Sequence, residues 1–310
     1  MIVREGLARD ALRLIVWYPL RWLVAAIPIR YGFAIFRMMG DMHYWLSKNK
    51  REIIMKNLQS AFGDRVGSIK LSDTARNYFR NHYVNQLQIF LFPRFNRSAI
   101  GRFHVFEGLE NLDDALKIGR GCILIHPHFG PAQLPLCALG IIGYPMMQLG
   151  LPTDEGLSFI GKKVAFRLRL YYESKIPARI VTANSFLRPV MEWLKNNKVL
   201  MITGDRAGGG RFVGKFMPVK FFGRPTLFPI GAASLAIKTG SSLLPMFTVI
   251  GENNIYKTII HKPIALMHNP EEEATSVVTT EFVRIMEDYV YRFPYLWHFW
   301  DEWETRIYKN

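Results

Sequence analysis

The sequence predicts an α/β fold built on a mixed, largely parallel sheet that is covered by helices on both faces. Two observations lead to this prediction. From residue 103 onward, short apolar runs alternate with segments whose apolar residues recur at helical spacing, which is the pattern of strands joined by crossover helices. Hydrophobic residues also make up 49% of the 310 residues, enough to bury a large core and to exclude a disordered chain.

The individual elements follow from these runs and from helix start signals. Strands are predicted at 121–125, 144–149, 179–182, 199–203 and 242–250. Helices are predicted at 131–139, 156–172, 184–195, 229–238 and 271–291, and Pro131 and Asn184 mark two of their starts. We divide the chain into an N-terminal helical, membrane-associating region, residues 1–40, and an α/β domain, residues 41–310. Residues 41–100 of that domain are predicted to be helical and packed on the rest.

The N-terminal region contains a strongly apolar stretch, LIVWYPLRWLVAAIPI, at residues 14–29. A membrane-spanning helix needs ~20 mainly apolar residues, whereas an arginine and two prolines interrupt this stretch. A helix in the membrane interface fits better, with Trp17, Tyr18 and Trp22 at the level of the lipid headgroups. A single-pass anchor and a buried core helix are the alternatives.

The charge of the chain is strongly positive. Lysine and arginine number 40 against 25 acidic residues, a net charge of +15, which predicts a negatively charged partner: nucleic acid, an anionic membrane surface or an acidic protein. An N-terminal helix at an anionic membrane surface accounts for this charge. The basic residues are spread from Arg4 to Lys195 without a nucleic-acid motif, so no nucleic-acid partner is predicted.

Cys122 and Cys137 lie in apolar stretches, so their side chains are predicted to be buried. Nothing in the sequence indicates a metal or a cofactor.

Residues 125–131, with the sequence IHPHFGP, contain the first candidate site. A buried strand ends here, two histidines follow, and a helix is predicted to begin directly after the glycine. Ligands of open α/β sheets collect at the carboxyl ends of the strands. A histidine at such a position can act as a general base, so we predict this role for His128, with His126 as a neighbouring substrate contact.

A second candidate site follows the predicted strand 199–203. The glycine-rich run TGDRAGGGR at 203–211 allows a ligand close to the backbone, Arg206 and Arg211 can hold a phosphate, and Asp205 can orient a base. This run is neither a phosphate-binding P-loop nor a dinucleotide fingerprint. Downstream, Lys220 in the extended run MPVKFFG is a further basic candidate for binding substrate.

Taken in order, these segments resemble the late acyltransferases of lipid A biosynthesis, the lauroyl/myristoyl transferase family. The resemblance covers nearly the whole chain. Its blocks are Arg51…Asn57-Leu58…Phe62, His128-Phe129-Gly130, Gly204-Asp205-Arg206, Pro218…Phe221-Phe222-Gly223, the small-residue helix 231–240, Leu244-Pro245 and Pro294-Tyr295-Leu296-Trp297-His298. The resemblance implies a glycerolipid-acyltransferase-like fold and transfer of a fatty acyl group from acyl carrier protein or acyl-CoA to a hydroxyl of a lipid A precursor or related glycolipid. It also implies a location on the cytoplasmic face of the inner membrane.

The chain departs from that family at one informative position. The family has an acidic residue five positions after the histidine, whereas this chain has Gln133. We therefore expect Gln133 or Asp205 to orient His128, and Arg206 and Arg211 to bind an acceptor phosphate or the carrier's phosphopantetheine. If the missing charge limits the rate, Gln133→Glu should raise it.

Two other interpretations of Gln133 stay open at this point. The chain could use an amine acceptor, which needs less help from a base, or it could bind lipid or acyl carrier with weak or no catalysis. Near the C-terminal end, three tryptophans between residues 297 and 303 are predicted to pack on the core.

Overall fold

The computed structural model describes residues 6–63, 70–150, 154–182, 187–205, 214–251, 255–266 and 271–307. The strands are β1 (His104–Glu107), β2 (Cys122–His126), β3 (Met146–Gly150), β4 (Arg179–Thr182), β5 (Val199–Thr203), β6 (Phe216–Phe221), β7 (Arg224–Pro229), β8 (Ser242–Ile250) and β9 (Tyr256–Ile260). The helices of the N-terminal part are α1 (Leu7–Ile15), α2 (Arg21–Ala26), α3 (Ile29–Leu46), α4 (Lys48–Phe62), α5 (Leu71–Leu91) and α6 (Arg97–Ile100). Those that follow are α7 (Leu109–Lys117), α8 (Leu134–Ile142), α9 (Arg167–Glu173), α10 (Arg188–Lys195), α11 (Gly231–Thr239), α12 (Glu271–Arg292) and α13 (Trp303–Arg306).

One seven-stranded sheet organises the molecule, in the order β1-β9-β8-β2-β5-β3-β4. Strands β8, β2, β5, β3 and β4 run parallel, while β9 is antiparallel to β8 and β1 runs parallel to β9. Along β2, Ile123 and Ile125 belong to one apolar cluster and Cys122 and Leu124 to another, so helices cover both faces. The predicted fold class, a mixed and largely parallel sheet between helical layers, is confirmed.

All five predicted strands are present within two residues of their predicted bounds. The prediction missed β1 and β9, which extend the sheet beyond β8, and β7, which pairs with β6 in a separate hairpin. Strand β1 has only four residues, and β7 contains two prolines, so neither shows a clear apolar alternation.

Two of the predicted helices start differently in the structure, and the predicted start of a third cannot be compared with it. Helix α8 begins at Leu134 rather than at Pro131, because residues 131–134 form a turn in which the Leu134 N–H donates to the Pro131 carbonyl. The helix predicted from 156 begins as a π-helical segment, Gly161–Phe166, that continues into α9. Asn184 lies outside the described residues.

Residue 40, the predicted domain boundary, lies inside α3, so the helical layer is continuous there.

The N-terminal region packs on the core at one side and exposes apolar groups at the other. Pro19 lies in a π-helical segment, Val16–Leu20, which joins α1 to α2, as expected where a proline removes a helical N–H donor. Trp17 is buried against Phe90 at a ring-centroid distance of 5.0 Å. The prediction that Trp17 lies at the level of the lipid headgroups is therefore wrong. Trp22 is 60% exposed. Within the described ranges, no helix combines the length and the apolar character needed to cross a membrane.

Helices α3 and α5 are held together by a close contact and by an ion cluster. A Cβ on Gly40 would lie 2.6 Å from the Arg80 Cα, so only glycine allows this approach. Beside it, Asp41 accepts from the side chains of Arg76 and Arg80, each at 2.7 Å. Burial opposes ionisation of Asp41, but these hydrogen bonds prevail and lower its pKa to about 2.

Gly40→Ala is expected to destabilise the protein by ~1–3 kcal/mol, because the new methyl group would force α3 and α5 apart. Urea unfolding followed by circular dichroism measures this change. Gly231→Ala is the matched control, since a Cβ at Gly231 meets no atom within 4 Å. Equal destabilisation by both substitutions would contradict the proposed clash.

Candidate functional site

The candidate site lies where β2 and its parallel neighbour β5 end. His126 is in register with Thr203 across these strands, so His128 and Asp205 each lie two residues beyond the last registered pair. The Gly204 N–H donates to the His126 carbonyl at 2.8 Å and continues the alignment past the strand ends. The parallel register therefore places a histidine and a carboxylate side by side.

His128 and Asp205 form a doubly hydrogen-bonded pair. The His128 Nδ1–H donates to Asp205 Oδ1 at 2.7 Å, and the His128 backbone N–H donates to Asp205 Oδ2 at 2.9 Å. The carboxylate thus fixes both the ring and the backbone of the same residue. An ionised carboxylate only accepts hydrogen bonds, so the ring proton is on Nδ1 and Nε2 keeps its lone pair. The His128 side chain is 21% exposed and so can meet a substrate.

Asp205 is held as an anion in a buried setting. Its side chain is fully buried, and the Trp297 Nε1–H donates to its Oδ2 at 3.2 Å. Burial alone would raise the pKa of Asp205, but the His128 imidazole and its hydrogen bonds, together with the Arg306 guanidinium, lower it to about 2. The carboxylate is consequently ionised throughout the neutral range and stabilises an imidazolium on His128.

A C-terminal strap, residues 294–306, holds the loop that contains His128. The Gly130 N–H donates to the Leu296 carbonyl at 2.8 Å, and the His298 N–H donates to the His128 carbonyl at 3.0 Å. His298 Nε2 lies 2.8 Å from the Gly130 carbonyl, which can only accept. Gly130 has a φ of +54°, and a Cβ on it would lie 2.8 Å from the Thr248 carbonyl oxygen. Only glycine fits at this turn.

The strap also places rings and a cation around the pair. The Phe299 ring contacts the His128 ring at a centroid distance of 4.9 Å. The buried Arg306 guanidinium lies 3.8 Å from the Phe299 centroid and donates to the Asp205 backbone carbonyl at 3.2 Å. The predicted packing of the three tryptophans is confirmed, because Trp297, Trp300 and Trp303 are all fully buried.

Gln133 makes a different contact from the predicted one. Its Nε2–H donates to Glu173 Oε1 at 3.1 Å, and the same oxygen accepts from Arg169 at 2.7 Å. Glu173 is buried although it is acidic. Of the two residues expected to orient His128, the structure brings Asp205 to it, whereas the Gln133 amide donates to Glu173 instead.

His126 lies behind the pair rather than beside it. Its Nδ1–H donates to the Pro127 carbonyl at 2.9 Å, and its buried Nε2 has no hydrogen-bond partner among the described residues. It borders a cavity of about 10 Å³, close to the size of one water molecule. Desolvation, with a smaller contribution from His128, lowers the pKa of His126 to about 4. This ring is neutral and buried, which does not favour the predicted substrate contact.

The described residues do not bring the basic side chains that were predicted to bind substrate to the site. Arg206 and Arg211 lie outside the described residues. Lys220 is exposed on β6, between the buried Val219 and Phe221. Among the described residues, no group of three histidine, cysteine or acidic side chains could hold a metal ion. Cys122 and Cys137 are buried, as predicted.

Sequence reasoning missed Glu173, Trp297, His298 and Arg306 as neighbours of the site. Glu173 follows a basic stretch at helical spacing from Arg169, a signal typical of any surface ion pair. The other three come from a segment more than 160 residues downstream of the histidine loop. No local pattern reports such a contact.

Comparison with known proteins gives consistent matches. The family profile described as bacterial lipid A biosynthesis acyltransferase matches residues 9–302. A phosphatidylinositol mannoside acyltransferase of Mycobacterium tuberculosis (strain CDC 1551 / Oshkosh) is 30% identical over 172 residues, covering 51% of this chain and 48% of that protein. Its namesake from Mycolicibacterium smegmatis is 23% identical over 234 residues, covering 74% and 72%. The first match thus spans about half the length of the curated relative.

Asp205→Asn is expected to move the ring proton of His128 from Nδ1 to Nε2. Oδ2 of Asp205 accepts from the His128 backbone N–H and the Trp297 Nε1–H, so the amide oxygen of asparagine should stay there. The amide NH₂ would then face His128 Nδ1, which must become an acceptor. Nitrogen-15 NMR of the imidazole distinguishes the two tautomers. A proton that stays on Nδ1 in the variant would contradict the geometry.

The same substitution should change how stability depends on pH. The folded-state pKa of Asp205 is about 2, below its value near 4 in an unfolded chain. Its contribution to stability is therefore complete above about pH 4 and is lost as pH falls toward 2. Urea midpoints should show wild type and Asp205→Asn converging across that interval. A constant difference between them from pH 6 to pH 2 would exclude this linkage.

Proposed function

The chain belongs to the bacterial lipid A biosynthesis acyltransferase family, and on that premise we propose that it transfers a fatty acyl group from a thioester to a hydroxyl of a membrane glycolipid. The observation that carries the proposal is the His128–Asp205 pair, with the ring proton on Nδ1 and Nε2 free to act. The family match confirms the resemblance drawn from the sequence.

The proposed reaction begins with proton transfer. His128 Nε2 takes the proton of the acceptor hydroxyl as its oxygen attacks the thioester carbonyl carbon. The new C–O bond forms, the carbonyl becomes an oxyanion, and the imidazolium is stabilised by the ionised Asp205 beside it. When the tetrahedral intermediate collapses, the C–S bond breaks and the imidazolium returns its proton to the leaving thiolate. His128 therefore returns to its starting protonation state at the end of the cycle.

The acceptor is proposed to be a glycolipid. The relatives named in the comparisons are phosphatidylinositol mannoside acyltransferases, and the family is described by lipid A biosynthesis, so both point to lipids with a sugar headgroup. The intact His128–Asp205 pair does not favour the interpretation of a chain without catalysis, nor does it require an amine acceptor. Gln133, the feature that suggested both, bonds to Glu173 and leaves the orienting role to Asp205.

The donor is proposed to be acyl carrier protein or acyl-CoA, both of which are anionic. Lys162, Lys163 and Arg167 are exposed along the segment that leads into α9, and Arg169 is half exposed on the same segment. Charge complementarity with an acidic carrier or a nucleotide supports this surface as the place of encounter.

We place the protein at an anionic membrane surface through its N-terminal helices. Among the described residues, 13 of the 22 exposed large apolar side chains lie within the first 53 residues. They include Trp22, Met38, Met42, Trp45 and Leu46, which are between 53% and 77% exposed. Apolar groups flanked by cations are typical of helices that lie in the interface. Peripheral binding to an inner membrane is the location this proposal implies.

His128→Ala should lower acyl transfer by ~10²–10⁴-fold, the range typical of losing a general base. The assay follows transfer from acyl carrier protein or acyl-CoA to extracted glycolipid by mass spectrometry. His261→Ala is the matched control, because His261 bonds to Tyr289 beyond β9 and lies outside the pair. Equal turnover by His128→Ala and wild type would remove His128 from the mechanism.

Gln133→Glu is now expected to lower the rate rather than raise it. The new carboxylate would lie about 3 Å from Glu173, where the Gln133 amide now donates at 3.1 Å. Two carboxylates at that distance cannot both ionise, so the helix start at α8 would be disturbed. Initial rates at pH 7, with Gln133→Met as the uncharged control, test this. A faster Gln133→Glu enzyme would show that a charge at position 133 is the missing element.

Trp45→Glu should weaken binding to vesicles of phosphatidylglycerol by roughly tenfold or more, because an exposed aromatic anchor is replaced by an anion. Sedimentation with vesicles measures the partitioning, and neutral phosphatidylcholine vesicles report the charge-independent part. Ile118→Glu is the control, since Ile118 is 61% exposed, close to the 65% of Trp45, but follows α7. Equal losses for both variants would contradict docking through α3.

A further inference from the structure

A cluster of polar side chains lies next to His128, between α3, α5 and the strap. We call this cluster, made of His43, His82, Tyr83, Asn85 and His298, the headgroup recess. The Tyr83 hydroxyl lies 3.3 Å from His43 Nδ1, and the Tyr83 ring lies 5.5 Å from that of His82. Helix α3 thus contributes one wall and α5 the other.

The headgroup recess is continuous with the proposed base. The Asn85 side-chain amide lies 2.9 Å from His298 Nε2. The ring of His298 in turn lies 6.3 Å from the ring of His128, centroid to centroid. His82 is exposed, and Asn85, His298 and His128 are half-buried, so accessible polar side chains lead from the outside to the His128 ring.

The imidazoles of the headgroup recess are neutral at physiological pH. Desolvation, followed by the charge of Lys50, lowers the pKa of His82 to about 4 even though its side chain is exposed. Desolvation also lowers the pKa of His43, and that of His298 to about 4. Each neutral ring therefore has one donor and one acceptor nitrogen, and the donor of His298 is already bonded to the Gly130 carbonyl.

Two cations, Lys50 and Arg9, act on the histidines of the headgroup recess, and Lys50 is paired with an acidic side chain. Lys50 Nζ lies 3.0 Å from Asp301 Oδ2, and the Tyr78 hydroxyl donates to Asp301 Oδ1 at 3.1 Å. Neutral imidazoles, a phenol and an amide beside aromatic rings suit a ligand with many hydroxyl groups and no charge.

We propose that the headgroup recess binds the uncharged sugar headgroup of the acceptor lipid and presents one of its hydroxyls to His128 Nε2. This inference rests on the proposed function and names the part of the acceptor that is recognised. Its position fits a lipid substrate, because Met42, Trp45 and Leu46 are exposed on α3 around His43. A lipid whose chains stay in the membrane at that surface would extend its headgroup inward along α5.

Binding without turnover is the first test, and it uses the full-length His128→Ala protein. The probes are methyl α-mannoside and myo-inositol as neutral polyols and inorganic phosphate as the anion. Carbon-13 NMR of the histidine rings should show shifts at His43 and His82 with the polyols, while the buried His104 and His126 stay unchanged. No shift with either polyol, or shifts with phosphate alone, would overturn the proposal.

Kinetics with wild type, His82→Ala and His82→Gln form the second test. His82→Ala should raise KM for the acceptor roughly two- to tenfold, the range that one neutral hydrogen bond is worth, with KM for the donor unchanged. His82→Gln keeps a donor and an acceptor and should recover part of the loss, which a merely structural role would not predict. His261→Ala is the control histidine, and thermal unfolding verifies that each variant folds.

The two proposals fail in different ways. Turnover with an acceptor KM that His82→Ala leaves unchanged would remove the headgroup recess from recognition while the acyltransferase proposal stands. Polyol binding by a protein that transfers no acyl group would support the recess as a sugar site and overturn the proposed reaction.

Discussion

A buried carboxylate that must remain ionised governs the architecture of this site. Asp205 accepts from the ring and the backbone of His128 and from the Trp297 indole, and three segments distant in sequence therefore meet at one side chain. Burying a charge is costly unless hydrogen bonds and opposite charge compensate it. The parallel register of β2 and β5, the glycine turn at 130 and the buried Arg306 all serve that compensation.

The position of Gln133 shows how a change of one residue can be absorbed by its surroundings. An amide five positions after the histidine would be a poor partner for an imidazolium, because it carries no charge. Here the amide donates to Glu173, which Arg169 also contacts, and the start of α8 is held without involving the base. The orienting function and the helix-anchoring function are thus divided between two carboxylates.

Much of the central sheet was predictable, because its strands are continuous apolar runs buried on both faces. The His128–Asp205 pair was predictable in kind, since both residues follow buried strands that were correctly placed. The sequence did not indicate that Asp205, rather than Gln133, bonds to His128. Which strands lie side by side in a parallel sheet depends on the strand order, and local patterns do not report it. The strap escaped prediction since its contacts join residues 128–130 to residues 296–298 and leave no local pattern.

The dependence of the His128 loop on the strap has a consequence for biosynthesis. Translation proceeds from the N-terminus, so β2 and β5 emerge from the ribosome well before residues 294–306. Until those residues leave the exit tunnel, the Gly130 N–H, the His128 carbonyl and the Asp205 carboxylate lack the partners that the strap supplies. The His128–Asp205 site can therefore reach its final contacts only after the strap has emerged.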